Sequence, residues 1–298
     1  MGNGKSDNYV FPKYEEKFDF VNTYGTINHS KGIINEKIFK DINPLYYRKI
    51  KRISCGNGFT VCLDREGLVY SWGRESKGEL GYDLIWEEST IVSGIKCQST
   101  PKLVEKLANR KLFITDVICG NDFTFVYDDS GIPYSWGNND HYQLARVSQF
   151  TTDSTPDKAT HLVELERTLK ICCGWMHGMV LTDKGEVYIW GNPFFDYNKN
   201  SPDIAEPVIV ELPYRAVDIG CGFHHFCAII SEDGLNNFQL YTWGANEYSQ
   251  CGYRTEERIS YVPKHVKIHD QNVIDVSCGA FHTIVHASNG KIYGFGHN

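Results

Sequence analysis

The chain has 298 residues, of which 41% are hydrophobic and 13% aromatic. This composition excludes a disordered chain and favours strands over helices. A formal net charge of −7 is the opposite of what sequence-independent nucleic-acid binding requires, so no nucleic-acid partner is predicted. No run approaches the roughly 18 apolar residues of a membrane helix, so none is predicted either.

The first residues match a lipidation pattern. Gly2 would become the N-terminus after methionine removal, and Ser6 stands where N-myristoylation requires a hydroxyl residue. A single myristoyl chain anchors only marginally, so we expect membrane contact only if Gly2 is modified. No apolar signal segment follows Met1, which favours a cytoplasmic protein, with nuclear or weak membrane association left open. Residues 1–19 are assigned to an N-terminal extension and residues 20–298 to a repeat domain.

The rest of the chain contains five copies of a repeat of about fifty residues. Each copy has a Cys-Gly pair followed by an aromatic-Gly pair. The cysteine and the aromatic residue are 17 residues apart in the first, second, third and fifth copies, and 22 residues apart in the fourth. In chain order the pairs start at Cys55 and Trp72, Cys119 and Trp136, Cys173 and Trp190, Cys221 and Trp243, and Cys278 and Phe295.

Between the two pairs, turn sequences such as Asp64-Arg-Glu-Gly67 predict a hairpin, because glycine supplies the positive φ of the turn. A tyrosine stands two residues before each aromatic-Gly pair, so both rings share one face of a strand. One sheet cannot bury that face, and neighbouring sheets must cover it. The pattern predicts an all-β β-propeller with five full repeats plus a partial sixth, and an aromatic layer between the blades.

An insertion lengthens the first repeat. The distance from the aromatic residue to the proline that starts the next repeat is 17–20 residues in three copies, but 29 from Trp72 to Pro101. The extra residues fall in 82–100 and include Trp86, Glu87 and Glu88. We predict that these three residues bind a partner, because a tryptophan on a projecting loop is typical of an interface anchor. The alternative is that the insertion covers an open sheet edge.

Cysteines and histidines do not form a recognisable metal motif. The ten cysteines include no C-x-x-C pair, and we expect them to be reduced and mostly buried. Four histidines lie at or near one repeat position, in different blades or on adjacent residues, and we expect each to bond the backbone within its own blade: His177, His224, His225 and His282. No nucleophile–base pair or dinucleotide motif is present, so no metal, cofactor or catalytic residue is predicted.

Three strings carry a family resemblance: CGAFHT at 278–283, GEVYIWG at 185–191 and GELG at 78–81. They resemble the repeat of the regulator of chromosome condensation family, and the resemblance covers about residues 20–298. It implies a propeller, usually of seven blades, of which five repeats and part of a sixth would make an incomplete or truncated ring. Two departures stand out. Phe59 and Phe123 occupy the first two copies without the family's histidine, and the third and fourth copies lack the Gly-x-Leu-Gly turn.

The resemblance also implies a class of function. The family includes docking propellers and a guanine nucleotide exchange factor for the small GTPase Ran. We therefore predict a docking or regulatory propeller that binds a protein partner, linked to small GTPase signalling or trafficking. The alternative is an exchange factor for a Ran-like GTPase. Such a factor needs no catalytic residue in the usual sense, since it binds the nucleotide-free GTPase most tightly, and the question of enzymatic activity stays open.

Overall fold

The computed structural model describes residues 45, 48–84, 89–92, 94–147, 151–194, 202–232, 234–254, 256–269 and 272–297. Within these ranges the regular secondary structure is almost entirely β-strand, as the aromatic and turn patterns predict. The two helices described, Glu105–Ala108 and Thr160–Val163, are single turns. No helix in the described ranges is long and apolar enough to cross a membrane.

Five antiparallel sheets correspond to the five repeats and are called blades one to five in chain order. Blade one has the order β1-β2-β3-β5-β4, with β1 Ile50–Cys55, β2 Phe59–Asp64, β3 Val69–Glu75, β4 Thr90–Val92 and β5 Ile95–Leu103. Blade two contains β6 Ile114–Cys119, β7 Phe123–Asp128, β8 Pro133–Asn138 and β9 Thr152–Lys158. Blade three contains β10 Thr168–Cys173, β11 His177–Thr182, β12 Val187–Gly191 and β13 Ile204–Ile209.

Blade four contains β14 Arg215–Cys221, β15 His225–Ser231, β16 Gln239–Ala245 and β17 Ile259–Val266. Blade five, as far as it is described, contains β18 Val273–Cys278, β19 His282–Ala287 and β20 Ile292–Gly296. Strands pair in sequence order in every blade except the first, where β5 lies between β3 and the edge strand β4.

The first strands of the blades surround one central channel. Each of these strands ends at the cysteine of its Cys-Gly pair, and all five cysteines line a single cavity of about 140 Å³: Cys55, Cys119, Cys173, Cys221 and Cys278. The inner strands of successive blades also contact one another in chain order. This radial arrangement confirms the predicted β-propeller.

Because the strands are antiparallel, the Cys-Gly turns and the aromatic-Gly pairs lie at the same end of every blade. We call this end the turn face and define it by residues 56–58, 120–122, 174–176, 222–224 and 279–281 together with the described residues that directly follow β3, β8, β12 and β16. The hairpins that begin near Asp64 and Asp128 lie at the opposite end, where each aspartate Oδ1 accepts two backbone N–H groups of its turn.

Large aromatic side chains fill the space between blades. Trp136 and Trp190 are fully buried, and each donates its indole N–H to a backbone carbonyl of the preceding blade. Trp136 Nε1 lies 2.9 Å from Glu79 O, and Trp190 Nε1 lies 2.8 Å from Gln143 O. Tyr134 packs in the same cluster as Trp136. The predicted aromatic layer is therefore present around Trp136 and Trp190, whereas Trp72 of the first repeat and Phe295 of the fifth are only half-buried.

The described part of the insertion belongs to blade one. Tyr82 and Leu84 are buried in the core between blades one and two, and the Tyr82 hydroxyl donates to Ser71 O at 2.9 Å. Strand β4 pairs with the edge of β5 and leaves Ile91 and Val92 exposed. The described segments of the insertion thus extend the sheet and cover the edge of β5. This agrees, for these segments, with the alternative that the insertion covers an open sheet edge.

Candidate protein-binding face

A close contact between glycine and a ring shapes each turn of the turn face. A Cβ added at Gly56 would overlap the ring of Phe59, and one added at Gly279 would overlap the ring of His282. Blades two, three and four repeat this contact with Phe123, His177 and His225. Phenylalanine in the first two copies therefore fills the space that histidine fills later, which explains why the departure from the family pattern leaves the fold intact.

Backbone hydrogen bonds join the turns of neighbouring blades around the channel mouth. Asn57 N–H donates to Asn121 O at 2.8 Å, between blades one and two. Trp175 N–H donates to Phe223 O at 3.2 Å, and Phe223 N–H donates to Ala280 O at 3.1 Å. These bonds hold the turn residues in fixed positions, so that their side chains present a prearranged surface.

Blades three to five carry a contiguous group of rings on this surface, which we call the aromatic cluster: Trp175, Phe223, Tyr248 and Phe281, with His224 and His297 beside them. Ring centroids are 5.2 Å apart for Trp175–Phe223, 5.2 Å for Phe223–Phe281 and 5.4 Å for Tyr248–Phe281. Tyr248 is 46% exposed and Phe281 37% exposed. The cluster therefore offers apolar area to a partner without being part of the core.

Acidic groups flank the aromatic cluster on blade four. A cavity of about 360 Å³ is lined by Tyr248 and Asn246 together with Glu247, Glu256, Glu257 and Arg258. All three glutamates are exposed, and Arg258 Nη1 lies 3.5 Å from Glu247 Oε1. Three carboxylates against one guanidinium give this groove a negative balance next to exposed rings.

The turn face is differently built on blades one and two, where ion pairs replace rings. Arg74 pairs with Asp122 of blade two and with the buried Glu79 of its own blade. Glu79 also accepts the backbone N–H groups of Ser76 and Lys77, which fixes the Gly-Glu-Leu-Gly turn. These charges are satisfied within the fold, so the aromatic cluster and its acidic groove form the better candidate site.

Two of the four histidines, His177 and His225, differ from expectation. His225 Nε2 lies 2.9 Å from Thr283 Oγ1 of blade five, so this histidine bonds a side chain of the next blade and not the backbone of its own. Neither ring nitrogen of His177 has a hydrogen-bond partner among the described residues. The radial packing explains both results, because the turn glycine directs each ring across the blade interface. Burial holds the pKa of His177 well below its usual value and lowers that of His224 to about 4.

All ten cysteines are free thiols, as expected, but only three are buried: Cys62, Cys227 and Cys251. The other seven are half-buried, so the expectation of mostly buried cysteines was wrong. Five of these seven are the cysteines of the Cys-Gly pairs, which line the channel cavity and so have one side without a packing partner. The walls still restrict water, and burial raises the pKa of the Cys119 thiol to about 12.

The structure does not describe the residues that the sequence predicts to bind a partner or to carry a lipid. Trp86, Glu87 and Glu88, and the proposed lipidation site Gly2, lie outside the described residues. No group of histidine, cysteine or carboxylate side chains within the described ranges has the arrangement of a metal site. The aromatic cluster was missed because its members occupy the variable positions of the turns. The only signal was the two residues after each Cys-Gly, which read Trp-Met, Phe-His and Ala-Phe in the last three copies.

The fold defines a repeat-built β-propeller, with exposed rings at one end of its channel. The chain belongs to the RCC1-like domain family, whose model matches residues 21–298. It is 28% identical over 276 residues to the human probable E3 ubiquitin-protein ligase HERC6, covering 90% of this chain and 25% of HERC6. It is 27% identical to the Xenopus laevis protein RCC2 homolog, covering 75% of this chain and 45% of that one.

Solved structures agree on the fold. Prp20p from Saccharomyces cerevisiae, whose structure was described with its binding to Gsp1p and histones, superposes with a TM-score of 0.69 at 21% identity. That match covers 86% of this chain and 59% of Prp20p. Human WBSCR16 gives a TM-score of 0.65 at 23% identity, covering 80% of this chain and 58% of WBSCR16. The chain thus spans less than half of the two curated relatives named and under three fifths of both solved propellers.

Proposed function

We propose that the chain is a protein-docking propeller that binds its partner on the turn face of blades three to five. The observation that supports this most directly is the aromatic cluster, because exposed rings held by a rigid scaffold are the usual anchors of a protein interface. Tyrosine and tryptophan combine a large apolar area with a polar tip, which suits a surface that is solvated until a partner arrives.

The acidic groove beside the cluster indicates the chemistry of the partner. Glu247, Glu256 and Glu257 would attract a basic segment and steer its approach, while Tyr248 and Phe281 would receive its apolar side chains. The partner that fits is a protein surface in which lysine or arginine adjoins exposed apolar groups. A small GTPase is the first candidate, since Prp20p, a propeller of the same fold, was described as binding Gsp1p.

The test uses the purified full chain and a purified Ran-like GTPase in its GDP-bound and nucleotide-free forms. Phe281→Ala and Tyr248→Ala should each weaken binding by about ten-fold or more, since interface anchors contribute roughly 1.4 kcal/mol or more. Leu235→Ala is the matched control, because Leu235 is 76% exposed on the β15–β16 hairpin at the opposite end of the propeller. Unchanged affinity in both aromatic variants would contradict the proposed surface.

The same assay separates docking from nucleotide exchange. A docking module binds the two forms of the GTPase with similar affinity and leaves GDP release unchanged. An exchange factor binds the nucleotide-free form more tightly and accelerates release of a fluorescent GDP analogue. If neither form binds, the link to GTPases is wrong. Proximity labelling in cells, comparing Phe281→Ala with Leu235→Ala, then tests the docking surface itself, and identical sets of labelled proteins would overturn it.

A further inference from the structure

Two thiols from different blades touch beneath the turn face. Cys227 on β15 of blade four and Cys278 at the end of β18 of blade five have their sulfur atoms 3.3 Å apart. Sulfur atoms this close belong to thiols in hydrogen-bond contact, and a modest movement brings them to the roughly 2.05 Å of a disulfide bond. Cys227 is fully buried, whereas Cys278 is half-buried.

The more exposed thiol lies where a small molecule can reach it. Cys278 lines the cavity at the channel mouth, beside Gly279 and Ala280 of its own turn. Cys227 is fully buried and does not line this cavity. The pair therefore has one thiol open to attack and one behind it, which is the arrangement of an attacking and a resolving cysteine.

The surroundings favour the thiolate on Cys278. Its pKa is lowered because it accepts a hydrogen bond from the Cys227 thiol, and contact with His225 acts in the same direction. Burial raises the pKa of Cys227, so that thiol keeps its proton and donates it. Because the thiolate is the reactive form of cysteine, the two thiols differ in reactivity as well as in access.

We propose that Cys278 and Cys227 are a peroxide-sensitive dithiol that, when oxidised, becomes a disulfide joining blade four to blade five. The Cys278 thiolate attacks one oxygen of hydrogen peroxide, the O–O bond breaks, and hydroxide leaves as Cys278 becomes a sulfenic acid. Cys227 then loses its proton and attacks the Cys278 sulfur, the S–O bond breaks, and water leaves. In total, two thiols and one hydrogen peroxide give one disulfide and two waters.

Neighbouring thiols supply the controls. Cys55 lines the same cavity, and its sulfur atom lies 3.7 Å from the hydroxyl of Thr60. Cys251 is buried close to Cys227 and is the competing resolving thiol. Serine replaces cysteine with nearly the same shape, and the melting temperature of each variant shows whether it folds.

The experiment treats the purified full chain with hydrogen peroxide, blocks the remaining thiols with N-ethylmaleimide and maps unreduced peptides by mass spectrometry. The expected product is a Cys227–Cys278 cross-linked peptide that dithiothreitol removes and that Cys55→Ser leaves unchanged. In Cys227→Ser the sulfenic acid on Cys278 has no resolving thiol, so dimedone should label Cys278 there and not in the wild type. Cys278→Ser should abolish the cross-link and leave Cys227 as a free thiol.

Three results would overturn the proposal. One is a cross-link from Cys278 to Cys251 in place of Cys227. Another is wild-type protein in which Cys278 reacts no faster than Cys55 and no disulfide appears. The third is a folded Cys227→Ser variant in which dimedone labels Cys55 as strongly as Cys278. Partner binding enters none of these measurements, so the result is independent of the proposed docking function.

Discussion

His225 of blade four donates its Nε2 hydrogen to Thr283 Oγ1 of blade five across 2.9 Å. The direction follows from the next bond, because Thr283 uses its single hydroxyl hydrogen to donate to Gln250 O at 2.8 Å and can only accept from the histidine. A residue at the repeated position thus ties two blades together with a side-chain bond. His177, at the same position in blade three, has no such bond among the described residues.

This difference predicts opposite effects for the same substitution. His177→Phe should raise the free energy of unfolding by roughly 1–2 kcal/mol at neutral pH, because it removes buried polar atoms without partners and copies the rings of Phe59 and Phe123. His225→Phe should lower it by about 1–2 kcal/mol, since it leaves Thr283 with one partner fewer. Urea denaturation measures both values. Equal effects of the two substitutions would contradict the assignment.

Acid sensitivity provides a second test at His177. Burial holds its pKa well below the usual value, with the neighbouring His224 and His225 acting in the same direction, so the folded state keeps the ring neutral. The unfolded chain binds this proton near pH 6.5, so the stability from a neutral His177 is present above that pH and is lost as pH falls below it. The gain from His177→Phe should therefore be larger at pH 5 than at pH 7.5. Melting curves giving the same gain at both values would show that His177 does not titrate in this way.

The inter-blade tryptophans should be among the most sensitive positions. Trp136→Ala and Trp190→Ala each delete a fully buried indole and its bond to the preceding blade, with an expected loss of about 3–5 kcal/mol. Asp183→Ala is the control, because Asp183 is an exposed turn residue of blade three. Thermal melts in which both tryptophan variants shift by only a degree or two would refute the role of the aromatic layer.

Glu75 should make the protein less stable as pH rises from about 5 to 8. Burial raises its pKa to about 8, and the nearby carboxylates of Glu79 and Asp83 add to the effect. The folded state therefore favours the protonated form, whose contribution is complete below the unfolded pKa near 4.5 and is lost as pH rises through 8. Glu75→Gln keeps an acceptor for the Leu80 N–H and carries no charge, so its advantage over the wild type should grow from pH 5 to pH 8. A constant difference across that range would rule this out.

The prediction that Trp86 of the insertion binds a partner rests on the sequence alone. If Trp86 binds a partner, Trp86→Ala should leave the melting temperature unchanged and reduce partner binding. Tyr82→Phe is a useful comparison, because it removes the hydroxyl bond to Ser71 O within the core and should reduce stability instead. A clear fall in melting temperature with Trp86→Ala and unchanged binding would assign Trp86 a structural role.

The fold could be predicted because its determinants are local and repeated. Spacings such as Tyr134 to Trp136 fix which rings share a strand face, and the Cys-Gly pairs fix where the inner strands end. The candidate site could not be predicted in the same way. Phe223 and Phe281 are 58 residues apart in sequence, and they meet only because two turns come together at the channel mouth. The contact of Cys227 with Cys278 has the same origin, since no local pattern encodes which thiols face each other across two blades.

The indole hydrogen bonds between blades also bear on the order in which the blades fold during synthesis. The acceptor Glu79 O precedes its donor Trp136 by 57 residues, and the acceptor Gln143 O precedes its donor Trp190 by 47 residues. During synthesis a blade that has already left the ribosome is therefore incomplete until its successor follows. At a synthesis rate of about 5–20 residues per second, the side of each such blade that packs against its successor stays uncovered for several seconds. A chaperone that shields apolar strands would be needed most in those intervals, one blade at a time from the N-terminal side.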